Sequence, residues 1–241
     1  MKRMLILGAS GTTGRLLVEI LLQKGVEVIA IVRHANSLIN SVGPHQNLRI
    51  VETSISDMPE NELAKYIKEC EAVLCCLGHN LTFKGVFGHP RRLVTDAIKK
   101  MTKSIEAVHA DSKVKVVLMN TTGNSNRDIP ETPPFSQRFI ISILRWLLPP
   151  HVDNESAADF LRLHIGQNNN RIEWVAVRPD ALINENHVSR YHVHASPIRN
   201  AIFDSGSVSR INVADFMSEL ATNAELWDQW KGRMPVIYSH V

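Results

Sequence analysis

Short apolar runs alternate with stretches of helical periodicity through the first half of the chain. Met4–Leu7, Val26–Val32, Arg49–Val51, Ala72–Leu77 and Val114–Met119 are compact runs rich in aliphatic residues, and Glu173–Val177 is a sixth. Apolar residues at nearly every position, not at alternate ones, suit strands covered on both faces, as in a parallel sheet. Between the runs, Arg15–Lys24 sets Leu16, Leu17, Ile20 and Leu21 at helical spacing and stops at Gly25. Glu60–Glu69 gives a shorter helix, and Arg92–His109 places Leu93, Ile98, Met101, Ile105 and Val108 along one stripe. Strands separated by such helices make βαβ units, so the pattern predicts an α/β fold with a doubly wound, mostly parallel sheet.

After residue 120 the rhythm loosens. Gly123–Pro134 reads as a polar loop, followed by an amphipathic helix from about Phe135 to Leu148 and then Pro149-Pro150. A helix over roughly Asn154–Ile165 leads through a turn at Gln167–Asn170 into the sixth strand. Beyond Pro179 the pattern predicts a strand near Tyr191–His194, a helix from Val213 to about Ala224 with Asn212 as its N-cap, and a last strand at Pro235–Tyr238. No internal repeat and no long linker interrupts the chain, which reads as one domain over residues 1–241.

Composition narrows the class. The chain has 241 residues, 44% hydrophobic and 21% charged, with 12 Gly and 11 Pro, so it is neither disordered nor low-complexity. The formal net charge of +3 is far below a nucleic-acid-binding surface, and no nucleic acid is expected as partner. No signal peptide is read at the N-terminus, and the longest later apolar stretch, Phe139–Leu148, is too short to span a membrane. Cys70, Cys75 and Cys76 are too few and too clustered for a disulfide framework. Buried, reduced thiols in a cytoplasmic protein with no membrane partner are the expectation.

The chemistry starts at Gly8-Ala9-Ser10-Gly11-Thr12-Thr13-Gly14, directly after the first strand and opening the first helix. A turn there must reverse tightly and bring backbone N–H groups close to a diphosphate, which glycines permit and a helix N-terminus favours. The spacing is Gly-x-x-Gly-x-x-Gly; neither a P-loop lysine nor the last glycine of a nucleophile elbow follows. In this strand–turn–helix context it predicts a Rossmann-like dinucleotide site with Gly8, Ser10, Gly11, Thr12, Thr13 and Gly14 around the diphosphate. An acid at the end of the second strand would favour NAD. That strand instead ends Val32-Arg33, nineteen residues after Gly14, and a guanidinium there pairs with a 2′-phosphate, so NADP is expected over NAD. The dinucleotide core then occupies about residues 1–180, and about 181–241 forms a small lobe over the substrate cleft.

The glycine turn, Val32-Arg33, Leu77-Gly78, Val177-Arg178-Pro179 and Ser209–Phe216 (SRINVADF) together resemble the atypical short-chain dehydrogenase/reductase superfamily. The most similar group is its NmrA-like, NAD(P)H-binding branch, which includes flavin, biliverdin and quinone reductases. The resemblance covers roughly residues 4–221. It implies that Ser54 and Ile55 flank the adenine and that Leu77-Gly78-His79 passes over the cofactor ribose. It also implies that Asn120-Thr121 lies beside the nicotinamide and that Arg178-Pro179 closes that pocket.

Typical members of the superfamily reduce a carbonyl with a Tyr-x-x-x-Lys pair. Here the fourth residue after Tyr66 is Cys70, after Tyr191 it is Ala195, and Tyr238 lies too near the C-terminus. The pair is absent. One explanation is an acceptor that needs little protonation by protein groups, such as a quinone, a flavin or another conjugated system. Thr121 and His151 are then the leading polar helpers, ahead of His79, Asp153 and Asp180. The other is a regulatory protein that binds NADP without turnover, as NmrA-like proteins do. His187, His192 and His194 lack further ligands nearby, so no metal site is expected. Residues 79–115 carry eight Lys/Arg against three Asp/Glu, which reads as a solvated helix face or an anion-attracting rim. The stripe Phe139, Ile140, Ile143, Leu144 and Leu147, with Trp146 beside it, reads as core, as the roof of an acceptor pocket or as a dimer face. The sequence leaves open whether the protein is a monomer or a homodimer.

Overall fold

The computed structural model describes residues 2–79, 88–108, 112–131, 140, 143, 148–200 and 204–240. Of the helix expected over 135–148, only Ile140, Ile143 and Leu148 fall within these; Phe139, Leu144, Trp146 and Leu147 lie outside the described residues.

β1 (Arg3–Leu7) shows why the sequence makes a doubly covered sheet. Its side chains alternate, with Met4 and Ile6 entering one core and Leu5 and Leu7 the other, and all four are buried. α1 (Thr12–Gln23) follows, then β2 (Glu27–Val32), α2 (Ala35–Val42), β3 (Leu48–Glu52), α3 (Glu60–Ile67) and β4 (Ala72–Cys75). α4 (Leu93–Val108), β5 (Val114–Met119), α5 (Pro149–Phe160) and β6 (Ile172–Pro179) complete the first part. The remainder is β7 (Ala181–Ile183), β8 (Tyr191–His194), β9 (Ser207–Ser209), α6 (Arg210–Thr222), α7 (Ala224–Trp230) and β10 (Val236–Ser239).

Among the described residues, one sheet of eight strands runs in the order β3-β2-β1-β4-β5-β6-β10-β8, and β7 pairs with β9 apart from it. Every neighbouring pair in the large sheet is parallel except β10 and β8. The order reverses between β1 and β4, and in open α/β sheets that crevice receives the ligand. α1, α6 and α7 cover one face, where Leu17, Leu21, Phe216, Met217 and Trp227 are buried. α3, α4 and α5 cover the other with Leu63, Ile67, Ile98, Met101, Ile105 and Leu161. Cys75 and Cys76 enter opposite cores, as strand alternation requires.

Several local expectations are corrected. α5 starts at Pro149, not near Asn154; the prolines occupy its first turn, where a missing N–H costs nothing. It ends in a single π-turn, Leu161–Ile165, closed by Gly166. α6 starts at Arg210, and its N-cap is Ser209, whose hydroxyl accepts from Asn212 N; Asn212 is not the cap. The Asn212 amide is buried and donates to Ser189 and Ser239, tying the helix to the segment before β8 and to β10. Within residues 181–240, β8 and β10 extend the main sheet, and α6 packs on α1.

Candidate functional site

The glycine turn is forced by close backbone approach. Gly8 sits at φ +77°, and a β-carbon there would stand 2.7 Å from the carbonyl of Cys76 and from Leu77 N. A β-carbon on Gly14 would stand 2.1 Å from Gly8 O, and the turn is closed by Gly11 N donating to Gly8 O at 3.0 Å. Glycine at both positions lets the turn lie against the end of β4. α1 begins with no side-chain cap at Gly11 and no acid in its first turn, so its first amide groups face an anion without competition. A diphosphate fits that cradle.

A cavity of about 240 Å³ opens beside the turn. Of the expected cofactor residues, it gathers Gly8, Ser10, Gly11, Arg33, Ser54, Ile55, Leu77 and Gly78. Thr12, Thr13 and Gly14 adjoin it in the first turn of α1. Thr53, Ser56, Pro90 and Leu93 also line it, and among the described residues no carboxylate does. Sequence reasoning missed Pro90 and Leu93, which come to the wall only because α4 packs beside the loop after β3. Arg33 is exposed, and its guanidinium makes no ion pair among the described residues. A depression of equal volume at the other end of the strands is lined by Arg3, paired with Glu27 and Glu69, and by Arg49, which lies over the Tyr66 ring.

At the end of β5 the two leading polar helpers come together. Thr121 Oγ1 and His151 Nδ1 both lie 3.7 Å from the point a β-carbon on Gly123 would occupy, so the absence of a side chain there brings β5 and α5 close. Asn120 holds the arrangement. Its Nδ2 donates to Asn154 O in α5 at 2.9 Å, and its Oδ1 accepts from Thr121 N at 2.8 Å.

His79, Arg178 and Pro179 have interior partners. The His79 ring turns inward, with Nε2 2.8 Å from Asp153 Oδ2, and does not line the cavity. Arg178 is fully buried. Its guanidinium donates to Met234 O, Asn124 O and Ala195 O and forms a two-pronged pair with Glu131, the shorter contact 2.6 Å. That commits its N–H groups to holding three segments together rather than to a pocket. Pro179 is likewise interior, its carbonyl accepting from Thr122 N. Asp180 is a tether as well, accepting from Thr122 Oγ1, Ala181 N and Gly206 N; burial raises its carboxyl above the ordinary value despite those bonds.

None of the three tyrosines lines the cavity. Tyr66 lies under Arg49, and Tyr238 is buried in β10. Tyr191 donates to Asp215 at 2.8 Å, and burial together with that carboxylate pushes its hydroxyl well up. Burial raises the Cys70 and Cys75 thiols to about 12, so they are inert as nucleophiles. Among the described residues no group of three His, Cys, Asp or Glu side chains could hold a metal; His192 instead meets His240 at 2.8 Å. Most cations of the basic stretch have structural partners: Lys100 bonds backbone carbonyls, Lys103 and Lys113 pair with Glu60 and Glu173, and Lys99 and Lys115 lie over rings. No described helix is long and apolar enough to cross a membrane.

The fold has many solved counterparts. An oxidoreductase from Lactococcus lactis aligns with a TM-score of 0.69 at 17% identity, covering 99% of this chain and 91% of that one. A short-chain dehydrogenase/reductase from Veillonella parvula, solved in complex with NADP, gives 0.69 at 16%, with 99% and 94% covered. A candidate NADH-flavin reductase from Streptococcus pneumoniae gives 0.66 at 16% over 100% of both chains. At such identities the likeness speaks for the fold alone. No curated protein matches the sequence. The profile of the family described as NAD(P)H-binding matches residues 8–224, which spans the glycine turn, the cavity and the end of β5. The chain therefore belongs to the NAD(P)H-binding family.

Proposed function

We propose that the protein is a cytoplasmic NADPH-dependent reductase that passes hydride to a quinone, a flavin or another conjugated small molecule. The observation that carries this reading is the wall shared by Arg33 and the open N-terminus of α1, with no carboxylate among the described residues that line it. A 2′-phosphate meets a cation there and no repelling charge, which favours NADPH over NADH. NADPH, when bound, supplies a hydride from its nicotinamide ring.

The chain's own groups then position the acceptor and handle one proton. Reducing a quinone to a hydroquinone takes one hydride and one proton, leaving NADP+. An electron-poor conjugated centre accepts the hydride without a strong acid beside it, so a tyrosine–lysine pair is dispensable. The Thr121 hydroxyl accepts from Gly123 N at 3.3 Å, and its own hydrogen remains available to an acceptor carbonyl. His151, whose ring faces Gly123 from the side of α5, is the side chain we assign to hand over that proton. The NADP bound in the Veillonella parvula structure supports the cofactor, and the Streptococcus pneumoniae neighbour, described as an NADH-flavin reductase, supports a flavin acceptor but not the choice of NADPH.

The test is NADPH oxidation by the purified protein with a panel of a quinone, a free flavin and an aldehyde. Turnover with the quinone or flavin, and little with the aldehyde, is expected. Tight NADP+ binding with no turnover on any of them overturns the reductase in favour of a cofactor-sensing regulator.

A further inference from the structure

The cavity beside the glycine turn does not end at Arg33. A second cavity of about 200 Å³ continues from it, with Ile55, Ser56, Pro90 and Leu93 lining both and Asp96, Ala97 and Lys100 at the far end. Its sides are apolar, Ile55 facing from the loop after β3, Leu93 and Ala97 from α4, with Pro90 just before it. Such a slot takes a flat ring. With the diphosphate at α1 and the 2′-phosphate at Arg33, the remaining wall belongs to the base.

Lys100 fixes that wall. Its ammonium donates to Ile55 O at 2.9 Å, Ser56 O at 2.9 Å and Met58 O at 2.7 Å. All three of its hydrogens are used, the loop is fastened to α4, and those backbone carbonyls are drawn toward the lysine. The other charged group lining the slot is Asp96, one helical turn before Lys100, whose carboxylate makes no hydrogen bond or ion pair among the described residues. An ionised carboxylate accepts and cannot donate. It therefore favours a base edge that carries N–H groups and repels one that carries a carbonyl.

We propose that Asp96 is the base-specificity residue of the site, accepting from the exocyclic 6-amino group of adenine. The inference rests on the dinucleotide's adenosine half lying at Arg33.

The experiment measures dissociation constants for NADPH, NADH and the 6-oxo analogue nicotinamide hypoxanthine dinucleotide phosphate, with wild type and Asp96→Asn. Wild type should bind the 6-amino form about tenfold or more tightly than the 6-oxo form, the range of a charge-assisted hydrogen bond. In Asp96→Asn, which offers both an acceptor and a donor, the two should bind within about threefold of each other. Asp96 is exposed in the first turn of α4, so the variant is expected to fold, and a thermal melt checks it. Equal binding of both bases by wild type, or an unchanged preference in Asp96→Asn, overturns the proposal. Loss of the NADPH-over-NADH preference with the base preference intact overturns the reading of Arg33 and leaves Asp96 standing.

Discussion

The Asp153 carboxylate joins His79 to the start of α4. Its Oδ2 lies 2.8 Å from His79 Nε2 and accepts from Val94 N at 2.8 Å, while Oδ1 accepts from Thr95 N at 2.9 Å. One buried side chain from α5 thereby satisfies the helix N-terminus that backs the base end of the cavity and holds the segment after β4. Asp153→Ala leaves the two buried amides of Val94 and Thr95 without their acceptor and removes one partner of the His79 ring. It is expected to lower unfolding free energy by about 2–3 kcal/mol in urea denaturation. A loss below about 0.5 kcal/mol would show that the carboxylate does not hold this junction.

Gly14→Ala is expected to weaken dinucleotide binding by at least about tenfold, because its β-carbon would stand 2.1 Å from Gly8 O and the turn must move. Gly78→Ala is the matched control: it borders the same cavity, yet a β-carbon there meets nothing within 4 Å. Its melting temperature should equal that of wild type, whereas Gly14→Ala should also melt lower. Equal melting temperatures for the two variants would sink the close-approach argument.

Much of the frame was legible because each strand declares itself locally. The runs at Met4–Leu7 and Val114–Met119 are apolar on both faces, and the glycine spacing fixes where β1 hands over to α1. What escaped was carried by weak local signals or by distant partners. α2 contains Asn36, Ser37, Asn40 and Ser41, poor helix formers, and buries only Leu38. α7 is seven residues long, started by the Asn223 side chain. The resemblance puts Arg178 at the pocket; its ion-pair partner Glu131 lies 47 residues upstream, beyond the reach of any local pattern. His79 and Asp153, 74 residues apart, meet only once α5 has packed on α4.

Glu131 and Arg178 form an ion pair with side chains 5% and 0% exposed. Glu131→Ala would leave an uncompensated guanidinium in the interior, and denaturant unfolding should show a loss of about 3–5 kcal/mol. Pairing the change with Arg178→Met removes the stranded charge and should recover part of that loss. A double variant no more stable than Glu131→Ala would contradict the pairing.

Arg33 is expected to set cofactor choice without supporting the fold, since it is exposed and unpaired among the described residues. Arg33→Ala should raise the dissociation constant for NADPH by about tenfold or more, leave NADH within about twofold, and leave the melting temperature unchanged. Arg33→Glu should go further and favour NADH. Equal weakening of both dinucleotides would mean that Arg33 does not read the 2′-phosphate.

Glu173 gives a pH-dependent contribution whose sign is fixed by its neighbours. Partial burial raises its carboxyl, but Trp227 Nε1–H at 2.7 Å, Lys113 at 3.2 Å and Lys231 at 3.8 Å outweigh it, and the group ends below its ordinary 4.5. A depressed folded-state value means the unfolded chain binds the proton more readily. The stabilisation is therefore complete above about 4.5 and is lost as pH falls through the lower folded value. Glu173→Gln keeps the shape but cannot ionise. It should be less stable than wild type at neutral pH by about 1 kcal/mol or less, because the site is partly solvated. That gap should close as unfolding is measured at successively lower pH. A gap that stays constant from neutral to strongly acid conditions would show that the carboxylate charge contributes nothing at this junction of β6 and α7.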